Sequence, residues 1–302
     1  MRETQFRAKK EEEEQMKHLF ARLWVPVLAG LLMIAASAMP TKAQESVWQR
    51  INETKTVRLG VAPYAPFSYK DALGKGDVGV KQGSDTWRGV AVIIGQRIAD
   101  SLGAKVEIVE LSWSGAIAAI QTGQVDLFFG LDGTPQRAAA VEFIHTPVYK
   151  YGVVFFGRDD LPANSWSDLN KSEVKLGIVN GTNFDSMLQE HAPNASVQRF
   201  PSTSEVMAAF QTGQIDGTIA TPSNADAARA KMRKGQVKLL DGPAIYLPIL
   251  AAIPPQQDQR WRDFLETAFA YMTDSGETKK IYQAEIAASG VKPEDVTVNF
   301  IQ

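Results

Sequence analysis

Two nearly identical octapeptides constrain the fold of this chain more than anything else in it. "AIQTGQVD" occupies residues 119–126 and "AFQTGQID" residues 209–216, and the two copies differ only in which apolar side chain fills two positions. Each reads as the junction between an amphipathic helix and a buried strand. Gly123 and Gly213 supply the left-handed cap that ends the helix, the polar residues face solvent, and an apolar run then enters a sheet. The same junction used twice, 90 positions apart, predicts two α/β lobes with equivalent places in each.

The sequence around the copies supports that reading. In the first half "TVRLGVAP" (56–63) is a short apolar strand with a proline stop, and "VAVIIGQRIADSLG" (90–103) is a helix closing on Gly103. "KVEIVEL" (105–111) alternates as a strand, "SGAIAAIQTG" is a short helix, and "VDLFFG" (125–130) is a strand buried on both faces. "TPQRAAAVEF" (134–143) opens another helix, with Thr134 as N-cap and Pro135 at its first position. The second half repeats the alternation. "VKLGIVNG" (174–181) is a strand, and "TNFDSMLQEH" a helix capped by Thr182 with Asp185 three residues on. "VQRFPS" is a strand, "SEVMAAFQTG" a helix and "IDGTIAT" a strand. Strands alternating with helices specify α/β architecture with mainly parallel sheets. Between strand and helix of the first half, residues 70–89 are too rich in Gly and Asp for regular structure and read as a long hairpin or surface loop.

"TPVYKYGVVFFGRDD" (146–160) carries the chain from one lobe to the other, and "IYLPILAAIPP" (245–255) returns it. The expected division is therefore 46–148 with 249–302 as the first lobe and 149–248 as the second. The helical tail packs on the first. Two crossings make a hinge over a cleft, a geometry suited to closing on a small ligand.

Ahead of this fold, "LFARLWVPVLAGLLMIAASAMP" is an apolar run after basic residues, followed by "TKA" at 41–43. This is the pattern of a secretory signal peptide cleaved after Ala43. Met16 is an alternative start, because the acidic "KKEEEEQ" before it is foreign to such a leader. Cleavage removes seven Lys and Arg and five Asp and Glu, leaving 25 basic against 29 acidic residues and a net charge of −4. No basic surface for nucleic acid follows from that balance. The chain has no cysteine, so disulfides and a lipid-bearing cysteine are excluded. The expected product is a soluble exported protein, periplasmic in a Gram-negative bacterium.

The most pointed local feature is "GLDGTPQR", Gly130 to Arg137. It places a strand end, a tight turn and a helix N-terminus within eight residues, where open α/β sheets bind their ligands. Free N–H groups at the helix start favour an anion. Arg137 falls at the third helical position, where its charge opposes the helix dipole at a cost of roughly 0.3–1 kcal/mol. An arginine there is readily understood if its fork grips a carboxylate. The three histidines are scattered and form no metal site. "GKGDVG" (74–79) matches a dinucleotide fingerprint only formally, since it opens no helix. No cofactor is expected.

"VRLGVAPYAPFSY", "ELSWSGAIAAIQTGQVDLFFGLDGTPQRAAAVEFIHTPVY" and "LGIVNGTNFDSML" together resemble the family 3 extracellular solute-binding proteins, which serve ABC importers of polar amino acids. The similarity runs over roughly residues 55–290. It implies a two-lobed periplasmic-binding-protein (Venus-flytrap) fold, a small-molecule solute in the cleft and an ABC permease at the inner membrane as partner, with the chain itself a monomer and not an enzyme. It also implies roles. Arg137 clamps the ligand carboxylate, helped by backbone at Asp132 and, across the cleft, at Thr182 and Asn183. Gly130 offers its carbonyl to an ammonium, Tyr64 covers the ligand, and Trp113 lines the specificity pocket.

The departures from the family pattern matter as much. Asp132 stands where the family usually has Ser or Thr, and Thr221 stands where an Asp of the second lobe usually binds the ammonium. "GVA" with Val90 and Ala91 replaces "GFD" before the first long helix. Either Asp132 receives the ammonium from a new direction, or it pairs with Arg137 and suits a ligand without an amino-acid head. A buried carboxylate needs one such partner. A cleft enzyme of the cyclohexadienyl dehydratase type, with Asp132 as its acid, and a sensor module for a membrane partner are the rival readings.

Overall fold

The computed structural model describes residues 46–72, 78–241 and 245–297. The signal-peptide reading of residues 1–43 lies outside them. The first part of the fold runs α1 (Val47–Thr54), β1 (Thr56–Val61), β2 (Tyr69–Lys70), β3 (Val80–Gln82), β4 (Asp85–Arg88), α2 (Val90–Ser101) and β5 (Lys105–Glu110). A 3₁₀ turn at Trp113–Gly115 leads into α3 (Ala116–Gln121), β6 (Leu127–Leu131), α4 (Pro135–Ala138) and β7 (Glu142–Gly152). The chain continues through β8 (Val154–Gly157), α5 (Trp166–Leu169), β9 (Lys175–Val179), α6 (Asn183–His191), β10 (Ser196–Phe200) and α7 (Thr203–Gln211). It finishes with β11 (Gly217–Ala220), α8 (Pro222–Met232), β12 (Gln236–Leu239), β13 (Tyr246–Ile253), α9 (Arg260–Asp274) and α10 (Glu277–Ala288).

Two five-stranded sheets carry these elements, in the orders β5-β1-β6-β13-β7 and β10-β9-β11-β8-β12. In spatial order and strand direction they correspond. In each, three neighbouring strands run parallel, the fourth is antiparallel to them, and the fifth is antiparallel to the fourth. The strand that follows each octapeptide, β6 or β11, is the middle one. The chain leaves the first sheet at Val153 and re-enters it at Tyr246.

The aspartate that ends each octapeptide does the same work in both sheets. Asp126 N donates to Arg58 O at 2.9 Å while its Oδ2 accepts from Arg58 N at 2.6 Å. Asp216 N donates to Lys175 O at 2.7 Å and its Oδ2 accepts from Lys175 N at 2.8 Å. Each aspartate thus fixes the neighbouring parallel strand one residue ahead of its first pair with the middle strand, Leu59 with Leu127 and Leu176 with Gly217. The apolar residue just before it fills the space left by a glycine in that strand. A Cβ on Gly60 would lie 3.0 Å from Val125 Cγ1, and one on Gly177 would lie 2.5 Å from Ile215 Cδ1.

The expectation that the polar residues of the repeat face solvent holds for Gln121, Thr122 and Gln124 and for Gln211, Thr212 and Gln214, and is corrected at the aspartate of the first copy. Asp126 is fully buried and ion-paired with both Arg50 and Arg58. Trp261 of α9, also fully buried, donates its indole N–H to Asp126 O at 2.9 Å and docks the helical tail onto the first sheet. Two smaller corrections follow. The helix opened by Thr134 and Pro135 lasts a single turn, because the chain must enter β7 at Glu142. Residues 69–70, 80–82 and 85–88 form a small sheet in the order β2-β4-β3, regular structure where none was expected, though the hairpin offered as one alternative is there, with Gly83 at its turn.

Candidate functional site

Four strands end at one cavity. Beyond β1 comes Tyr64, beyond β6 comes Asp132, beyond β9 come Thr182 and Asn183, and beyond β11 come Thr221 and Asn224. All six residues line the cavity, as do Trp113, Gly130 and Arg137. This is the position at strand carboxyl ends that ligands of open α/β sheets occupy, here contributed by two sheets facing each other. All eight residues named from sequence therefore share one enclosure of about 60 Å³.

The two sides are in contact. Tyr64 Oη lies 3.1 Å from Thr221 Oγ1 and accepts from Thr221 N at 3.1 Å. Asn224 Nδ2 donates to Ala65 O at 2.7 Å, and Arg137 Nη2 donates to Gly181 O at 2.8 Å. Gly181 has φ +81°, and a Cβ there would lie 2.6 Å from Ser114 Cα, so this approach of two backbones requires glycine. The arrangement is a closed cleft.

Asp132 and Arg137 are the charged groups among its described lining residues. Asp132 is 8 % exposed, and its Oδ1 accepts from Tyr151 Oη at 3.0 Å. Arg137 Nη1 donates to Asp132 O at 3.2 Å but stands 3.9 Å from Oδ2, at the limit of an ion pair. Burial pushes the Asp132 carboxyl up to about 6, against the opposing pull of the Tyr151 hydrogen bond and the Arg137 charge. Burial likewise lowers the pKa of the Arg137 guanidinium, with the Asp132 charge opposing the shift. Desolvation pushes the Tyr64 hydroxyl up to about 12, leaving it a neutral hydrogen-bonding group at neutral pH.

The walls are aromatic. Trp113 meets Tyr64 edge-on at 6.0 Å and Phe128 at 5.9 Å. Its indole Nε1 is buried and has no partner among the described residues. Thr203 Oγ1 and Asn224 Oδ1 are in the same condition. Three polar atoms on the lining thus have unused hydrogen-bonding capacity, which buried groups rarely tolerate unless a ligand or water meets it.

One sequence expectation fails here. Thr182 occupies the N-cap position of α6, but its hydroxyl donates backward to Val179 O at 2.8 Å and makes no cap bond. Asp185 is drawn instead to Arg199 at 2.7 Å. The N–H groups at the start of α6 are therefore left uncapped beside the cavity. Residues that sequence reasoning misses also line the cavity, notably Tyr149, Tyr151, Phe184, Thr203, Met207 and Asn224. The "YKY" spacing of Tyr149 and Tyr151 puts both on one face of a strand, a signal masked by that strand's evident role as a crossing between lobes.

A closed, two-sheet cleft with one guanidinium and one carboxylate inside defines a two-lobed ligand-binding protein. The sequence profile of the bacterial extracellular solute-binding proteins, family 3, matches residues 57–286, and the chain belongs to that family. A probable histidine-binding protein of Campylobacter jejuni is 23 % identical over 212 residues, covering 68 % of this chain and 75 % of that protein. A cyclohexadienyl dehydratase of Pseudomonas aeruginosa is 32 % identical over 104 residues, or 34 % of each chain. Among solved structures, an ancestral amino acid-binding protein that is a precursor of cyclohexadienyl dehydratase superposes with a TM-score of 0.69 at 27 % identity, covering 80 % of this chain and all of that one. The fold is the two-lobed periplasmic-binding-protein fold.

Proposed function

We propose that this protein is exported to the periplasm, captures an amino acid between its lobes and delivers it to an ABC permease. Arg137 holds the ligand carboxylate, aided by the uncapped start of α6 at Thr182 and Asn183. Asp132 accepts the ammonium, taking over from the first lobe the charge that the family places on the second, where Thr221 now stands. Gly130 adds its carbonyl, and Tyr64 and Trp113 enclose the ligand. The lobes that close are 46–148 with 249–302, and 149–248.

The observation that carries this reading is the geometry of Asp132. Its carboxylate is buried, is bonded to Tyr151 at 3.0 Å and stays 3.9 Å from the guanidinium. That leaves both ions available for opposite ends of one zwitterion. Charged hydrogen bonds contribute roughly 1.5–3 kcal/mol each, and micromolar affinity needs about 8 kcal/mol, so a few such contacts with aromatic burial suffice.

The test is thermal unfolding of residues 44–302 against amino acids, amines and carboxylates lacking an amino group. A ligand that binds only the folded protein raises the midpoint by mass action. Amino acids should shift it. A shift by amino-free carboxylates alone would mean that Asp132 receives no ligand ammonium.

A second reading has one observation in its favour. A carboxyl group with a pKa of about 6 inside a closed cleft is suited to giving up a proton, and part of the chain resembles a cyclohexadienyl dehydratase. We favour binding without catalysis, because the described lining residues include no second carboxyl, histidine or lysine, and burial pushes the Tyr151 hydroxyl that faces Asp132 well above the usual tyrosine range. Turnover of a cyclohexadienyl acid by the purified protein would reverse that preference.

A further inference from the structure

Outside the closed cavity lies a second, open hollow of about 920 Å³, lined both by residues around Tyr64 and Tyr69 and by residues of α7 and α8. Among the described residues, only four line both spaces: Tyr64, Thr203, Met207 and Asn224. They are the wall between a small inner compartment and a large outer one. Two of the four are fixed by hydrogen bonds across the cleft, Tyr64 to Thr221 and Asn224 to Ala65. The other two stand at i and i+4 on α7 and so share one face of that helix. Met207 contributes an unbranched, flexible thioether chain, the kind of side chain that fills a gap without being locked there.

The inner compartment limits what can enter it. Its volume of about 60 Å³ is several times the roughly 10–15 Å³ that a single water needs and far smaller than the outer hollow of about 920 Å³. The charged groups among its described lining residues are one carboxylate and one guanidinium, which the ammonium and carboxylate of a zwitterion satisfy completely. A third ligand charge would have no partner among aromatic walls.

Resting on the proposed function, we infer that the ligand is an amino acid with a short, uncharged side chain, and that Met207 sets the length limit by closing the inner compartment off from the outer hollow. Removing the Met207 side chain joins the two spaces and gives a longer side chain a place to go.

The experiment is calorimetric titration of residues 44–302 with glycine, alanine, serine, norleucine and arginine, using the wild-type protein, Met207→Ala and Met207→Val. The wild type should prefer the best of the three short amino acids to norleucine and to arginine by about 100-fold or more. Met207→Ala should cut the preference over norleucine at least tenfold, and Met207→Val should move it in the same direction by less. The valine variant serves if the alanine variant fails to fold, which circular dichroism decides. Wild-type binding of norleucine or arginine as tight as that of the short amino acids overturns the inference while leaving the proposed function standing. An unchanged preference in both variants overturns the role of Met207. Failure of every amino acid to bind the folded wild type removes the proposed function and this inference with it.

Discussion

Asp132 is closer to Tyr151 than to the arginine five residues along its own chain: Oδ1 accepts from the tyrosine at 3.0 Å, while Oδ2 stands 3.9 Å from Arg137. A carboxylate so placed is desolvated without full compensation, and the consequence is a pH dependence with a definite sign. Folding moves its pKa from 3.8 up to about 6, so between those values the native state binds more protons than the unfolded chain. The stability due to this group is complete below about pH 4 and is lost as pH rises through about 6, a loss of about 3 kcal/mol at most. Denaturant titrations of the ligand-free protein from pH 4 to 8 should show that decline, and Asp132→Asn should flatten it.

Ligand binding should depend on pH in the opposite sense. An ammonium beside Asp132 prefers the carboxylate to the acid. Affinity for an amino acid should therefore increase from pH 5 to 7 and level off above, with protons released on binding below pH 6. Calorimetry in buffers of different ionisation enthalpy counts those protons. Affinity independent of pH in this range would place the ammonium elsewhere.

Arg137 spends its donors on two carbonyls, Asp132 O in its own loop and Gly181 O across the cleft. Neither partner is charged, so a ligand carboxylate can replace both at a gain. Loss of one or two charge-assisted bonds of roughly 1.5–3 kcal/mol each predicts that Arg137→Ala weakens binding by about 10–10⁴-fold. Its circular dichroism should stay that of the wild type, because the side chain supports no strand or core residue. Affinity within about threefold of wild type would exclude Arg137 from the carboxylate site.

Much of this site is legible in the sequence because its ingredients are local. "GLDGTPQR" encodes strand end, turn, N-cap and arginine in one stretch, and Thr134 does accept from Arg137 N as a cap should. The twice-used octapeptide likewise announces two sheets, since a helix cap followed by a buried strand is a short-range signal. What stays hidden is long-range. Nothing near Asp126 tells that Arg50 and Arg58 will converge on it and carry it inside the protein. Nothing near Thr182 tells that its hydroxyl will donate to Val179 O in place of the expected cap. Tyr151, the pair Thr203 and Met207, and Asn224 reach the cavity from three separate elements, and only the folded register assembles them.

Trp113 provides a way to separate binding from stability. Its Nε1 is buried with no partner among the described residues, while its ring packs edge-on against Tyr64 and Phe128. Trp113→Phe keeps an aromatic face and discards that donor. Unfolding free energy should fall by no more than about 1.5 kcal/mol, since the exchange trims only part of the ring of a half-buried side chain. Affinity should fall about 5–10-fold if the indole N–H meets the ligand, as a neutral hydrogen bond is worth about 1 kcal/mol. A variant that loses stability but no affinity would assign Trp113 to packing alone.

The repeated aspartates predict an asymmetry between two sheets that look alike. Both Asp126 and Asp216 anchor the neighbouring parallel strand through backbone bonds. Their surroundings differ. The Asp126 carboxylate is fully buried and shared by Arg50 and Arg58, whereas that of Asp216 is 19 % exposed and pairs with Arg158, itself 42 % exposed. Removing one partner of a buried ion group strands the others and costs about 3–5 kcal/mol. Removing a half-solvated one costs about 1–2 kcal/mol, chiefly the backbone bond it made. Asp126→Ala should therefore destabilise the protein at least twice as much as Asp216→Ala in urea unfolding. Equal losses would mean that strand anchoring, common to both, outweighs the buried charge cluster that only the first sheet possesses.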